Sequence, residues 1–395
     1  MTKGERLQLL DKVFSPTAPI KEETFFSGRI GQLRKIVEAI NEEGQHAIVY
    51  GERGVGKTSL ANIMTSSFTN LFPIKVTCNR KDTFASLWTK TFKKIPNSST
   101  IAGVGFKPVD RHQSQAWDSV IDFNGANLST DIETILAEYT ESRFLFVFDE
   151  FDNIVDHNAR ESFADLIKSF SDNVTNATVI LIGIADTIET LIGSHQSLER
   201  CLKQVKMPRM SDEESEIIIA NGLSALSIDI SDNLKDKIVE FSSGFPHYVH
   251  LLCKYGAREV LVNDGTEFGE EHLQIAINKG VENTNEQLIS SYRKAVVGSS
   301  NTIKWQNVLF ACAQSPVDEF NCFSISDIIE QYNLITNLSI KAGSIAYNLK
   351  QLCQDERGAV LDKIDKGLNT RYRFANPMMK AFIKLKISIE PKVIR

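Results

Sequence analysis

The sequence contains no run of about 18 apolar residues and so offers no segment suited to cross a bilayer. Its opening stretch, MTKGERLQLLDKVFS, alternates charged and apolar types where an export signal would need an apolar block. The expectation is a soluble, cytoplasmic protein with no membrane partner. Cysteine is sparse: Cys78, Cys201, Cys253, Cys312, Cys322 and Cys353 are scattered without a C-x-x-C pair, which argues against a disulfide framework and a cysteine zinc site. There is no H-E-x-x-H, and His247 and His250, one helical turn apart, lack a third ligand at metal spacing. Ten prolines and 22 glycines in 395 residues exclude collagen-like and low-complexity chains. With 42% hydrophobic and 24% charged residues, the composition is globular, and the length points to two or three domains. Positive charge is also in short supply: 44 Lys and Arg against 50 Asp and Glu give a net charge of −6, so a nucleic-acid partner would have to meet a local patch.

Between residues 29 and 210, short runs rich in Val, Ile and Phe alternate with amphipathic stretches. Strands are expected at His46–Tyr50, Phe72–Cys78, Phe144–Phe148, Thr178–Ile184 and Lys203–Met207, with helices between them. Such alternation predicts an α/β core with a parallel sheet. Lys94–Ser129 lacks periodicity and reads as a long loop or insertion. After Ser211, which starts a helix with acids in its first turn, the pattern turns helical to about residue 285. From Asn301 three helices (Ile303–Gln314, Ser326–Tyr332, Ser339–Leu352) precede a hairpin-like pair around Asp365-Lys366-Gly367, the order of a winged helix.

The most specific signal is Gly51-Glu52-Arg53-Gly54-Val55-Gly56-Lys57-Thr58, followed by Ser59. It is a complete G-x-x-x-x-G-K-[ST] lying directly after one strand and before a helix. Glycines let successive N–H groups face inward, and the helix N-terminus adds its positive dipole end, which together make a polyphosphate cradle. Lys57 is positioned to reach the β- and γ-phosphates and Thr58 to ligate Mg²⁺. The buried-looking strand Phe144–Phe148 ends in Asp149-Glu150. Asp149 suits the outer shell of Mg²⁺, and Glu150 suits the base that orients a water against the γ-phosphate. No N-K-x-D occurs, so ATP is the expected nucleotide.

These residues resemble the AAA+ and STAND branches of P-loop ATPases, especially origin-recognition and replication-loader ATPases and their bacterial and archaeal STAND-type relatives, over nearly the whole chain. The resemblance implies a P-loop core at 26–210, a helical lid at 211–290, a winged helix at 300–390, and an N-terminal segment, 1–25, near the adenine with Phe14, Pro16 and Pro19. Phe26-Ser-Gly28-Arg29-Ile-Gly-Gln-Leu33 resembles the family's box alongside that base. Thr178–Ile184 resembles the sensor strand. There Asp186 departs from the usual Asn, Ser or Thr, leaving Asp186 or Thr187 for the γ-phosphate contact. Arg200 is placed like an arginine finger, although an arginine serving a helix C-terminus fits the same position. Gly244-Phe245-Pro246-His247 resembles the STAND G-x-P motif, with Pro246 and His247 toward the nucleotide. His247 stands where loaders have arginine, which favours the STAND side and slow hydrolysis.

Residues 301–395 carry a net charge of +4 and residues 1–300 a net −10. Lys341, Asn348, Lys350 and Gln351 are expected on the polar face of the third helix, with Lys363, Lys366, Arg371 and Arg373 on the ribbon. A recognition helix with a basic wing would contact DNA; a solvated or packing face would serve regulation. The function expected is a slowly hydrolysing Mg-ATP switch that couples nucleotide state to lid and winged-helix rearrangement and to a protein effector. The alternative is an ATP-dependent DNA loader or target-selection ATPase, and the resemblance also implies an ATP-dependent homo-oligomer. A remodelling ATPase would need a threading loop; Phe106, Val109 and Trp117 lie in the insertion without a placement.

Overall fold

A computed structural model describes residues 2–16, 19, 28–68, 71–95, 98–101, 111–114, 121–125, 127–139, 143–173, 176–185, 188–192, 198–297, 302–366 and 369–389. In chain order these form α1 (Lys3–Val13), α2 (Ile30–Asn41), β1 (His46–Gly51), α3 (Lys57–Ser67), β2 (Phe72–Thr77), α4 (Phe84–Phe92), β3 (Ser98–Ile101), β4 (Arg111–Ser114), α5 (Leu128–Glu138), β5 (Phe144–Asp149), α6 (His157–Asn173), β6 (Ala177–Ile184), α7 (Glu189–Ile192) and β7 (Leu202–Lys206). They continue with α8 (Asp212–Ala225), β8 (Asp229–Ile230), α9 (Asp232–Ser242), α10 (Pro246–Val262), β9 (Glu267–Phe268), α11 (Glu270–Glu282), α12 (Glu286–Val296), α13 (Thr302–Gln314), β10 (Phe323–Ser324), α14 (Ile325–Thr336), α15 (Ala342–Leu352), β11 (Leu361–Lys366), β12 (Asn369–Phe374) and α16 (Met379–Ile389). Two compact units result: one takes in Pro19–Glu52 and Gly56–Pro208, the other Met1–Ala18, Arg53–Val55 and Arg209–Arg395.

The first unit is built on a five-stranded parallel sheet in the order β2-β5-β6-β1-β7. All five strands expected between residues 46 and 207 are present. Every residue of β5, Phe-Leu-Phe-Val-Phe-Asp, is buried, which is why it reads as a continuous apolar run instead of an alternating one. Phe146, Phe148, Ile74 and Val76 share one face of the sheet and pack with Trp88, Phe163 and Phe170 from α4 and α6. The Trp88 ring meets Phe146 edge-to-face at 5.2 Å. β6 separates the strand that leads into the glycine-rich loop, β1, from the strand that ends in Asp149, β5. The stretch 94–129, expected as a loop, contains an antiparallel pair, Ser98–Ile101 with Arg111–Ser114, and α5 already begins at Leu128. Short polar strands of this kind carry little hydrophobic periodicity, so nothing in the sequence announces them.

The second unit has a helical part and a C-terminal part. Ser211 starts α8 with a capping box: its hydroxyl accepts the Glu214 N–H at 3.2 Å while the Glu214 carboxylate accepts the Ser211 N–H. Pro246 opens α10 at the first turn, where no N–H is missed. Helix α1 docks on this part. The Arg6 guanidinium donates to the carbonyls of Leu226 and Ser227, Asp11 pairs with Lys254 at 2.8 Å, and Phe14 is fully buried. Gly222 makes the room, since a Cβ there would come within 2.2 Å of the Phe14 ring. Phe14, expected beside the adenine, is therefore enclosed among helical-part residues, with His250 edge-on at 5.9 Å.

In the C-terminal part the order is helix α13, strand β10, helices α14 and α15, then the hairpin β11–β12, with the sheet arranged β10-β12-β11. The two-residue β10 was not expected from sequence, nor were α12 and α16. The core is formed by Trp305, Leu309, Ile328, Ile345, Leu349 and Phe374 with their neighbours. Asn348, expected on the polar face of α15, is 3% exposed. It lies three residues after Ile345 and one before Leu349, inside the apolar stripe, so this placement is corrected.

Candidate nucleotide site

The loop after β1 is shaped by its glycines. Gly51 has φ 154°, and a Cβ there would come within 2.2 Å of the Met207 carbonyl oxygen, so a side chain would prevent the loop from leaving β1 alongside β7. Gly54 and Gly56 have φ of 86° and 97°, in the left-handed region. Gly56 is the N-cap of α3, and no side chain caps that helix start. Its leading N–H groups and dipole are thus offered to an anion. Val55 is buried, and Thr58 and Ser59 are half-buried in the first turn of α3.

Lys57 begins α3, is 8% exposed, and folds back to donate to the Gly51 carbonyl at 2.9 Å and the Glu52 carbonyl at 2.7 Å. Among the described residues no ion pair is formed by it. Burial lowers its pKa to about 8, and the carboxylates of Asp152, Asp149 and Glu52 offset part of that shift. Its hydrogen bonds run to neutral carbonyls, and its charge is supported by nearby carboxylates without direct contact.

At the end of β5, Asp149 is nearly buried and both its oxygens are engaged. Oδ1 accepts the Glu150 N–H at 3.0 Å, and Oδ2 meets the Lys75 ammonium at 3.0 Å. Glu150 then takes a left-handed conformation, φ 57°, and starts the 3-10 turn Phe151–Asn153. A non-glycine residue held there costs about 1 kcal/mol or more. The turn points Glu150 outward, where the Asn153 amide donates to Oε2 at 3.1 Å. Asp152 accepts the Ile184 N–H at 2.8 Å, tying this turn to the end of the sensor-like strand β6. Gly183 allows that approach, since a Cβ there would sit 3.1 Å from Asp152 Oδ1 and 2.7 Å from Leu191.

Asp149 ends β5, Glu150 follows it, and Lys57 and Thr58 open the helix after the loop that leaves β1; all four thus lie at the C-terminal edge of the sheet, where open parallel sheets bind ligands. Gly28 and Arg29 both take left-handed backbone, at 76° and 61°, just before α2, and Arg29 is 1% exposed. Phe26, Asp186 and Thr187 lie outside the described residues. Arg200 is exposed and pairs with Asp172 at 2.6 Å, so within this chain it braces α6. The His247 ring shares a 2.7 Å hydrogen bond with the Pro16 carbonyl, and burial lowers its pKa. On the ribbon, Arg371 pairs with Asp318 at 2.9 Å and Arg373 with Asp362 at 3.6 Å. Lys341, Lys350 and Lys363 are exposed, and the Lys366 side chain lies outside the described residues.

Sequence reasoning missed Lys75, Asp152 and Asn153. The two in Asp149-Glu-Phe-Asp152-Asn153 were within reach as a third carboxylate and an amide one turn beyond the acidic pair. All six cysteines are free thiols. Among the described residues there is no group of three or more His, Cys, Asp or Glu that could hold a metal ion, and no helix is long and apolar enough to cross a membrane.

The sheet order, the glycine-rich loop before α3 and the acidic strand end define a P-loop NTPase. The profile described as Novel STAND NTPase 1 matches residues 19–253. The chain belongs to this STAND NTPase family. Among solved structures it is similar to the Walker-type ATPase of Pyrococcus abyssi, with 16% identity, a TM-score of 0.51, and coverage of 95% of this chain and 99% of that one. Weaker likenesses are to the ORC2 protein of Aeropyrum pernix in ADPNP–ADP complexes (12% identity, TM-score 0.48, 97% and 98% covered) and to the Thermotoga maritima RuvB Holliday junction branch migration motor (14%, 0.43, 93% and 97%). No curated protein matches the chain.

Proposed function

We propose that the protein is an Mg-ATP-binding switch that hydrolyses ATP slowly and signals its nucleotide state to a protein effector. The observation that carries this reading is Lys57: a buried ammonium with two neutral carbonyl partners, at a helix start that no side chain caps. A triphosphate would supply an anion there, and Lys57 would turn from the loop carbonyls to the β- and γ-phosphates. The donor set fits a divalent metal as well, with the Thr58 hydroxyl in the first turn of α3 and the Asp149 carboxylate at the end of β5. Bound Mg²⁺ would neutralise charge on the phosphate oxygens. Glu150 orients the attacking water, and the Asn153 amide restrains Glu150 until substrate is in place.

Slow turnover follows from His247 standing where loaders have arginine. Burial keeps it neutral, and a neutral imidazole stabilises developing phosphate charge less than a guanidinium. Glu150→Gln tests the assignment: ATP binding retained and turnover lost is expected, and normal turnover would remove Glu150 as the base. Sizing the protein with ATP and with ADP tests ATP-dependent homo-oligomerisation, in which Arg200 would have to leave Asp172 to serve a neighbouring copy.

A second reading, ATP-dependent DNA binding as a loader or target-selection ATPase, takes the C-terminal part as a winged helix. It rests on Lys341 and Lys350, which are exposed on and beside α15. Charge reversal at both should then abolish a salt-sensitive DNA affinity. The paired state of Arg371 and Arg373 favours the effector reading.

A further inference from the structure

We propose that Lys75 is a resident countercharge for Asp149, and that nucleotide binding hands this carboxylate from the lysine ammonium to a divalent cation. The inference rests on the nucleotide-site reading above and adds to it what sets the metal requirement.

Register places the pair. Thr77 lies opposite Asp149 and Lys75 opposite Val147, so Lys75 and Asp149 share one face as diagonal neighbours on adjacent strands. That face is the one under α3, and the Lys75 side chain spans it between two partners: Asp149 Oδ2 at 3.0 Å and Asn62 Oδ1, from α3, at 2.7 Å. The two charged side chains are 20% and 4% exposed. A carboxylate buried this far is costly to leave unpaired, so an ion pair here is a requirement of the fold in the metal-free state. With Oδ1 on the Glu150 N–H and Oδ2 on Lys75, Asp149 has no oxygen free of a donor.

A divalent cation approaching Asp149 meets an ammonium already in place, and like charges in a partly buried site repel each other. Asn62 resolves the conflict. Its carbonyl oxygen already accepts from Lys75, so the ammonium keeps a partner when Asp149 is withdrawn. The exchange makes tight nucleotide binding depend on a metal concentration high enough to displace Lys75.

The test is the MgCl₂ concentration that half-saturates binding of a fluorescent non-hydrolysable ATP analogue, measured for the wild type, Lys75→Met and Lys75→Arg, with melting temperature in EDTA as a second readout. Removing the competing charge should lower the Mg²⁺ midpoint by about tenfold or more in Lys75→Met and leave it near wild type in Lys75→Arg. In EDTA, Lys75→Met should melt at lower temperature, with Mg²⁺ restoring more of the loss than it adds to the wild type. If Lys75→Met does not fold, Lys75→Gln keeps a hydrogen-bond donor toward Asp149 without the charge and carries the same expectation. A lowered melting temperature with an unchanged Mg²⁺ midpoint would make Lys75 merely structural and overturn the proposal. Failure of the wild type to bind the analogue at any Mg²⁺ concentration would overturn the nucleotide site itself, a result separate from a shared midpoint.

Discussion

Two sets of cations in this molecule have opposite relations to their surroundings. In the parallel-sheet unit, Lys57 is buried and leans on backbone carbonyls. On the C-terminal ribbon, Arg371 and Arg373 are half-buried, each with its own carboxylate. The sequence motifs make both sets look like phosphate ligands. The structure separates them by whether the countercharge is supplied inside the chain. A cation paired with Asp318 or Asp362 brings less net charge to any other partner. On the proposed reading, an anion arriving at Lys57 would be its first ionic partner, since it forms no ion pair among the described residues.

The largest effect that would break this contrast is Lys57→Ala. Loss of a buried charged hydrogen-bond donor to phosphate should weaken ATP binding by about a hundredfold or more, read by equilibrium binding. Unchanged affinity would place Lys57 among the structural cations. Next in size is acid stability, which sharpens the comparison because each unit holds a deeply buried neutral histidine whose pKa is lowered to about 4. Burial does this to His46 in the sheet unit and to His250 in the helical part. The unfolded chain takes up these protons first. The stabilisation is therefore present above pH 6.5 and is lost as pH falls toward 4, by up to about 3 kcal/mol per histidine. Denaturant melts across that window should show both units weakening, and His46→Gln or His250→Gln should flatten the slope of its own unit.

A smaller effect concerns Lys57 again. With its pKa lowered to about 8 by burial, the empty site loses its charge as pH rises through that value, while a bound polyphosphate restores it. ATP affinity should therefore be constant below pH 8 and fall above it, by at most about tenfold per pH unit. A flat profile between pH 7 and 9.5 would show that Lys57 keeps its proton without ligand. The smallest effect belongs to the ribbon: Arg371→Ser and Arg373→Ser should each cost less than about 1 kcal/mol of stability, as partly exposed pairs do. A loss several times larger, by thermal or denaturant melting, would make those pairs part of the core's support.

What was legible in the sequence follows from which features are local. The glycine-rich loop is set by spacing along eight consecutive residues, and β5 announced itself because strands buried on both faces are continuously apolar. Ser211 with Glu214, and Pro246 at the start of α10, are likewise read from neighbours a few positions apart. Lys75 could not be read this way. In Phe-Pro-Ile-Lys-Val-Thr a lysine resembles the solvated half of an alternating strand, and only the pairing of Thr77 with Asp149 shows that it faces the carboxylate. The seat of Phe14 was hidden for the same reason, since its socket is made by Gly222. Asn348 escaped because residue type suggested a polar face while helical spacing placed it among Ile345, Leu349 and Leu352.

The docking of α1 also fixes an order of events during synthesis. Phe14 leaves the ribosome 208 residues before Gly222, the position that makes room for its ring. At ordinary elongation rates that interval is roughly 10–40 s, long enough for the sheet unit between them to be made and to begin folding. Through that time the apolar side of α1 has no place to go, and a nascent chain stalled before residue 222 would display it. This helix, made before the sheet unit and seated after it, is where a chaperone or a stray neighbour would meet the unfinished protein.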